Sequence, residues 1–405
     1  MSEVSDIQKI VTSGACIGCG LCTGVSDDIT MVRTSSGLER PKVARAPDMA
    51  DINHACPALH IEGLSDGEAS APFHPVWGHL DHNFIGWAGD PAIRHQGSTG
   101  GVLSALAKFM LDTGKVDFIL DVAPAPNAPA RTTYRITESW SDAGGSRYGP
   151  AAPLAGRPEA EARAKRGQRF AFIGKPCDVS AIRLLAQKQV WLKDALAYRL
   201  TIMCGGASEF SKTADLLANW GVAEDELAEF RYRGYGNPGP TTATLKSGET
   251  LQTTYQALWE DETAWAIQHR CKICTDAIGM AADIVSFDVW PDANPVGEDD
   301  GFNGVITRTP KGTALVDEAL ATGALIHNLD IGPDDLESFQ PHQSRKRRVV
   351  WARLAGQRAA GCIAPKTSNL GVKALAQETD WHVLMTQAKG TRDRLKAGRG
   401  TEEAP

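Results

Sequence analysis

FAFIGKPCDVSAIRLLAQ (residues 170–187) and YRLTIMCGGASEFSKTADLLANWG (198–221) share one design. Each begins with a short apolar strand, passes through a glycine loop that carries a cysteine, and continues as a helix. Strand, loop and helix in repetition predict a largely parallel α/β sheet. Ligands in such sheets bind beyond the carboxyl ends of the strands. Cys177 and Cys204 both fall there, so they are expected to face one site despite the 26 residues between them.

Working outward, residues 84–87, 116–122, 282–289 and 304–307 are further strand candidates. QGSTGG (96–101) leads into VLSALAKFMLDTG, where Val102, Leu106, Phe109 and Met110 recur at helical spacing. Residues 123–130 read as a loop, 157–167 as an exposed charged helix and 228–260 as an irregular β insertion. Helices are expected over 313–321 and 340–360, and a frayed end over 389–405. The segmentation is a ferredoxin-like domain at 1–65, a linker at 66–80, a catalytic α/β domain at 81–365 and a helical or disordered tail at 366–405.

The cysteines carry the chemistry. Cys16, Cys19 and Cys22 form CxxCxxC, and Cys56 follows with Pro57 after it. Three thiolates two residues apart wrap one face of an iron–sulfur cubane, and a distant Cys closes it. Only one such run exists, so Cys56 is expected to serve the same cluster. Zinc is the alternative ligand for closely paired cysteines. The cluster is expected to stand in for the core of this small segment. Cys271 and Cys274 form a second CxxC. With Cys177 and Cys204 they make four thiolates, enough for a second 4Fe–4S cluster; the alternative is that Cys177 and Cys204 are buried core thiols. Cys362 is left as a structural thiol.

The loop of Gly97, Ser98, Thr99, Gly100 and Gly101 opens a helix, where unpaired N–H groups and the dipole suit a pyrophosphate such as that of a flavin dinucleotide. A tight turn is the plainer reading. Lys175 and His95 lie beside these loops as candidate proton donors or anion binders. Asp283 and Asp288 sit on a strand candidate near the CxxC pair, able to hold a flavin or to cap a turn. RYRGYGNPGP (231–240) is read as a solvated hairpin in preference to a phosphate clamp, and the basic run Arg345–Arg348 as a solvated helix face.

Composition bounds the partners. Net charge is −7 with pI near 5.8, which disfavours nucleic acid. The first residues hold no apolar secretory core, and no run approaches the roughly 18 apolar residues of a membrane helix. A cytoplasmic protein is expected, with its nine cysteines serving as ligands or thiols and not as a disulfide framework.

In order, these motifs resemble the coenzyme F-420 hydrogenase/dehydrogenase beta-subunit family. The resemblance runs over about residues 76–365, through DPAIRHQGSTGG, FIGKPCDVSAIRLL, YRLTIMCGG, CKICTDAIGMAADIVSFD and DDGFNGVITRT. It implies an iron–sulfur flavoprotein with FAD and one or two 4Fe–4S clusters. Cys177, Cys204, Cys271 and Cys274 would then hold the cluster near the flavin, and Ser98–Gly101 would lie at the flavin site. The chain departs from the family pattern at Thr99 and Phe287. It also departs at Lys175, where Thr is usual, and at Asp178, where Gln is usual. The expected function is an oxidoreductase passing electrons between a one-electron carrier such as ferredoxin and a small organic substrate, by way of two 4Fe–4S clusters and FAD. The alternatives are an electron-transfer subunit of a larger redox complex, a coenzyme F-420-dependent enzyme, or a zinc-stabilised binding protein. A homo-oligomer or redox complex is the expected assembly.

Overall fold

The computed structural model describes residues 6–140, 151–259, 265–295 and 297–405. The expected insertion 228–260 therefore ends one residue outside them. The centre is an eight-stranded sheet. Its strands are β1 (Asn83–Ala88), β2 (Phe118–Ala125), β3 (Ala128–Thr137), β4 (Phe170–Gly174), β5 (Leu196–Ile202), β6 (Ile284–Asp288), β7 (Asn303–Thr307) and β8 (Leu325–Asp330). They lie in the order β8-β1-β7-β6-β5-β4-β2-β3. The parallel part is the central run β2, β4, β5 and β6. β6–β7, β7–β1, β1–β8 and β2–β3 pair antiparallel. Residues expected to be a loop at 123–130 instead finish β2 and begin β3, because the two strands form a hairpin.

Both faces of the sheet are covered, and the two-residue period of the strands says why. Phe118, Leu120, Phe170 and Phe172 join one core cluster, while Ile119, Ala171 and Ile173 join the other. The second face is covered by the helix Val102–Asp112, with Leu106 and Met110 fully buried. The first face is covered by the helix Pro176–Ala186, with Val179, Ile182 and Leu185 buried.

The amino-terminal segment packs into that first face. Ile7, Ile17, Leu21, Ile29, Ile52 and Ile61 share a core cluster with sheet residues. The apolar core is thus continuous across the expected boundary, and a cluster is not its substitute. Residues 66–80 are not a bare linker either. They form a small ribbon, Phe73–His74 with Gly78–His79. Trp77 is fully buried, and its carbonyl accepts a 2.8 Å hydrogen bond from buried Arg308.

The tail is largely helical, and the end expected to fray at 389–405 is helix as far as Lys396 and turn or irregular chain beyond it. Lys366–Ser368 pairs in parallel with His60–Glu62. The helix Trp381–Lys396 lies so closely against Gly356 of the long helix Pro341–Ala359 that a Cβ there would stand 2.2 Å from the Ala388 carbonyl oxygen. Glu402 reaches back to Arg40 in a bidentate pair at 2.6 and 2.7 Å. The run Arg345–Arg348 also differs from expectation. Arg347 turns inward and donates to the carbonyls of Leu370, Thr275 and Pro75, so only part of that helix face meets solvent.

Candidate functional site

Local chain geometry gathers the first four thiols. Between Cys16 and Cys19, Gly18 takes φ +70°, and a Cβ there would lie 2.3 Å from the Glu39 carbonyl oxygen. Only glycine allows this turn. The Gly18 N–H points at Cys16 Sγ, 3.4 Å away. Cys56 closes the C-terminus of the short helix Ala50–Ala55, its N–H bonded to Ile52 O. Three of the four thiols lie in the electrostatic field of others in the set: Cys56 and Cys22 act on Cys19, Cys16 and Cys56 on Cys22, and Cys16 on Cys56. Burial is the largest influence and pushes all four thiols up, Cys56 to about 12. A buried set of this kind favours thiolates only when a cationic centre compensates them.

The second four converge beyond the carboxyl ends of β4 and β5. Cys177 lies in the first turn of the helix Pro176–Ala186, and Cys204 follows β5 with its N–H bonded to Ala277 O at 2.8 Å. Cys271 Sγ accepts from the Ala207 N–H at 3.3 Å, and the Cys274 N–H bonds to Cys271 O. Cys274 and Cys204 act on Cys177, and Cys271 and Cys274 act on Cys204. Burial again pushes Cys177, Cys204 and Cys274 up, Cys204 to about 12. N–H groups aimed at sulfur are among the features that tune iron–sulfur ligands. Among the described residues, no three His, Cys, Asp or Glu side chains form a group able to hold a single metal ion. Four thiolates on one zinc would stand about 3.8 Å apart, given Zn–S bonds of about 2.3 Å. Cys362 is half-buried.

Next to the second set the fold leaves room and unpaired polar atoms. A Cβ on Gly205, the residue after Cys204, would meet nothing within 4 Å. Gln343 donates to Cys204 O at 3.0 Å, while its Oε1 is buried without a partner. Asp288, at the carboxyl end of β6, accepts from Arg233 at 3.0 Å, and its carbonyl accepts from Gln340 at 2.7 Å. The Arg233 guanidinium lies 4.6 Å from the Trp290 ring centroid and leaves Nε buried and unpartnered. Burial, then Lys346 and Arg345, push His342 down to about 4, so its imidazole is neutral near pH 7. The same Lys346 acts on Cys204 and Cys274. Orphaned donors and acceptors beside open space fit a planar group with a polar edge, such as a flavin.

The glycine loop borders this region by a different logic from the one its sequence suggests. A Cβ on Gly100 would come 2.8 Å from Phe302 Cα and 2.9 Å from Asn303 N. One on Gly97 would come 2.8 Å from Gly101 N. The glycines are required by backbone packing within the protein. The first N–H of the following helix, that of Val102, is taken by Asn303 Oδ1 at 3.3 Å, and the Asn303 amide also bonds Thr99. RYRGYGNPGP is not a free hairpin: Arg231 donates to Gln96 O, Arg233 to Ser98 O at 2.8 Å and the Gly236 N–H to His95 O. It clamps the loop's carbonyls.

The remaining expected residues fall in different places. His95 is exposed, its ring edge-on to Tyr235 at 5.8 Å. Lys175 is buried and pairs with Asp178 at 2.8 Å. Burial alone would lower its ammonium, but Asp178 and Cys177 outweigh burial and hold it above its usual range. Asp283 is not with Asp288. It lies just before β6, at the opposite end of that strand, saturated by Arg199 at 2.8 Å, Thr309 at 2.9 Å and Lys311 at 3.3 Å. Its carboxyl is pushed up by burial and, more strongly, down by Arg199 and Lys311. Sequence reading passed over Gln340, His342, Gln343 and Lys346. The i, i+3 spacing of Gln340, Gln343 and Lys346, with His342 four residues before Lys346, was the available signal, hidden by the charge run.

Comparison with known proteins bears on this arrangement. The profile for the coenzyme F420 hydrogenase/dehydrogenase beta subunit N-terminus matches residues 83–156, and that for its C terminus matches residues 167–328. The chain is 22% identical over 329 residues to a coenzyme F420-dependent sulfite reductase of Methanocaldococcus jannaschii, covering 76% of this chain and 46% of the relative. It is 27% identical over 247 residues to the F420-dependent formate dehydrogenase 1 subunit beta of Methanococcus maripaludis, covering 58% of each. The chain thus spans about half the length of these curated relatives. A chain of the F420-reducing [NiFe] hydrogenase complex from Methanosarcina barkeri superimposes with TM-score 0.53 at 18% identity, over 68% of this chain and 92% of that one. That likeness is one of fold.

Proposed function

Because the chain belongs to the coenzyme F420 hydrogenase/dehydrogenase beta-subunit family, we propose that it is an iron–sulfur flavoprotein oxidoreductase. In this reading it passes electrons between a one-electron carrier and an organic acceptor. The observation that carries it is the pair of four-thiol sets in one protein, the second beside open space and unpaired polar atoms at the sheet's carboxyl edge. When bound, the clusters supply one-electron steps and the flavin couples them to two-electron chemistry.

The chain's own residues then have separate tasks. Cys16, Cys19, Cys22 and Cys56 hold the entry centre, and Cys177, Cys204, Cys271 and Cys274 hold the inner one. Arg233, Trp290, Asp288 and Gln343 orient the flavin. Neutral His342 accepts or donates a hydrogen bond without adding charge. His95 and Lys175 remain candidates for anion binding, and the Ser98–Gly101 loop borders the flavin as a rigid wall. The acceptor is a coenzyme F420-type deazaflavin or another small organic molecule. Ferredoxin is the carrier of choice, and assembly into a larger redox complex follows the relatives named above. Among the described residues no helix is long and apolar enough to cross a membrane.

The test is anaerobic purification with iron, sulfide, zinc and extracted-flavin quantitation. About eight irons and one FAD per chain are expected for two cubanes. Stoichiometric zinc with neither iron nor flavin would overturn the proposal.

A further inference from the structure

The helices near the end of the chain differ in charge from what precedes them. Residues 341–400 carry thirteen Lys and Arg against three Asp and Glu, a net charge of +10 in a chain whose total is −7. The rest of the chain therefore stands at −17. This basic segment lies beyond residues 83–156 and 167–328, which match the family profiles.

The helix Trp381–Lys396 brings that charge to the surface beside an apolar patch. Leu384, Thr391 and Leu395 are buried and fix its inward face. Near its start Trp381, Val383 and Met385 are 64%, 44% and 47% exposed. They are three of the seven large apolar side chains exposed among the described residues. Single exposed apolar residues are ordinary, whereas a group that includes a Trp has the composition of an interface anchor. Lys389, Arg394 and Lys396 follow on the same helix, with Arg399 just after it. All four are exposed, and among the described residues none pairs with a carboxylate. The acids of this stretch are already engaged. Asp393 pairs with Arg392 at 2.8 Å, and Asp380 caps the helix by accepting the His382 N–H at 2.8 Å.

The same helix is tied to the segments that carry both thiol sets. Arg353, on the neighbouring helix Pro341–Ala359, donates to Gln387 Oε1 and to the Lys272 carbonyl, each at 2.8 Å. Lys272 stands between Cys271 and Cys274. Past the helix, Gly400 approaches Gly14 so closely that a Cβ on Gly14 would lie 1.8 Å from the Gly400 oxygen. Gly14 is two residues before Cys16. The Glu402 N–H then bonds Thr12 O at 3.2 Å.

We propose that the outward face of the helix Trp381–Lys396, with Arg399, is the docking surface for a small acidic one-electron carrier protein. The inference deepens the redox reading above and rests on it. The cations steer an acidic partner and set its orientation, while Trp381 and Met385 form the dry centre of the contact. Val383 and Met385 offer nothing to a phosphate backbone, which disfavours nucleic acid as the occupant. The transfer is one electron lost by the reduced carrier and gained by the cluster it faces, with no bond made and no proton moved.

The experiment is a calorimetric titration of the full, iron-loaded chain with an acidic bacterial two-cluster ferredoxin at rising NaCl. The proteins compared are wild type, the triple variant Lys389→Glu/Arg394→Glu/Lys396→Glu, Trp381→Ala, and Lys246→Glu as an exposed cation next to the strand Thr241–Leu245. Wild type should bind, with an affinity that falls as salt rises. The triple variant should bind about 100-fold more weakly. Trp381→Ala should lose about tenfold and keep the salt dependence. Lys246→Glu should change the affinity less than about threefold. No binding by iron-loaded wild type at low salt, or equal affinity in wild type and the triple variant, overturns the docking surface. So does salt-sensitive self-association that the triple variant abolishes, because the occupant is then a second copy of this chain. Should the triple variant fail to fold, carbodiimide cross-linking of wild type to the ferredoxin decides, and cross-links that miss Lys389 and Lys396 overturn the proposal. Wild type that holds zinc and no iron would instead sink the redox reading, a separate failure.

Discussion

Replacing Glu402 by alanine should destabilise the protein far more than its place three residues from the end of the sequence suggests. Glu402 closes a bidentate pair on Arg40, which is 1% exposed, at 2.6 and 2.7 Å. Burial would depress the guanidinium, and the Glu402 carboxylate more than offsets it. After the substitution Arg40 keeps one side-chain partner, Gln268 at 3.1 Å, and the Glu39 carbonyl at 2.9 Å. Breaking one side of a buried pair costs about 3–5 kcal/mol. Glu402 is 21% exposed, so water reaches the vacated place and the loss should be about 2–3 kcal/mol. For 405 residues unfolding in one transition, the entropy at the midpoint is about 0.85 kcal/mol/K, which gives a fall of roughly 3 °C in Tm. Thermal unfolding followed by tryptophan fluorescence reads it, with Glu403→Ala as the exposed control. A Glu402→Ala midpoint within about 1 °C of wild type would refute the reasoning, since it would mean that Arg40 finds other partners or water at no cost.

Other expectations follow from the same geometry. Cys271→Ser should lose about half the iron and retain the amino-terminal cluster's EPR signal; full iron content would remove Cys271 from the ligands. Gly100→Ala forces a Cβ to 2.8 Å from backbone and should cost about 1–3 kcal/mol in urea titration, whereas Gly205→Ala, facing open space, should cost under about 1 kcal/mol yet weaken flavin retention. The folded pKa of His342 lies near 4, below its unfolded value. The unfolded chain therefore binds more protons between the two values, and stability falls as pH drops from about 6.5 toward 4. Half-exposed surroundings should limit this to about 1–2 kcal/mol. Parallel stability-versus-pH curves for wild type and His342→Gln would contradict it.

Much of the sheet could be read from the chain because strand residues alternate between two buried faces and the glycine–cysteine loops punctuate them. The edges were less legible. Nothing local in 123–130 separates a loop from a hairpin, and β1 and β7 acquire their antiparallel sense only from their neighbours in the sheet. The candidate site divided in the same way. Cysteine spacing singled out the two candidate thiol sets, whereas Asp283 and Asp288 looked equivalent on one strand until Arg199, Lys311 and Thr309 claimed the first.

The sequence by itself pointed to oxidoreductase chemistry, because cysteine spacing is a local property of the chain, and it determined the strand–loop–helix units, because backbone periodicity is local too. Tertiary structure alone decided which charges stand near which thiols. Arg347 reads as one more surface cation until it is seen buried among carbonyls. Lys175 and Asp178 read as two unrelated departures until they meet at 2.8 Å as one buried ion pair. The physical reason is that spacing along a chain is a local property, whereas burial and electrostatic field sum over every segment that folds against a residue.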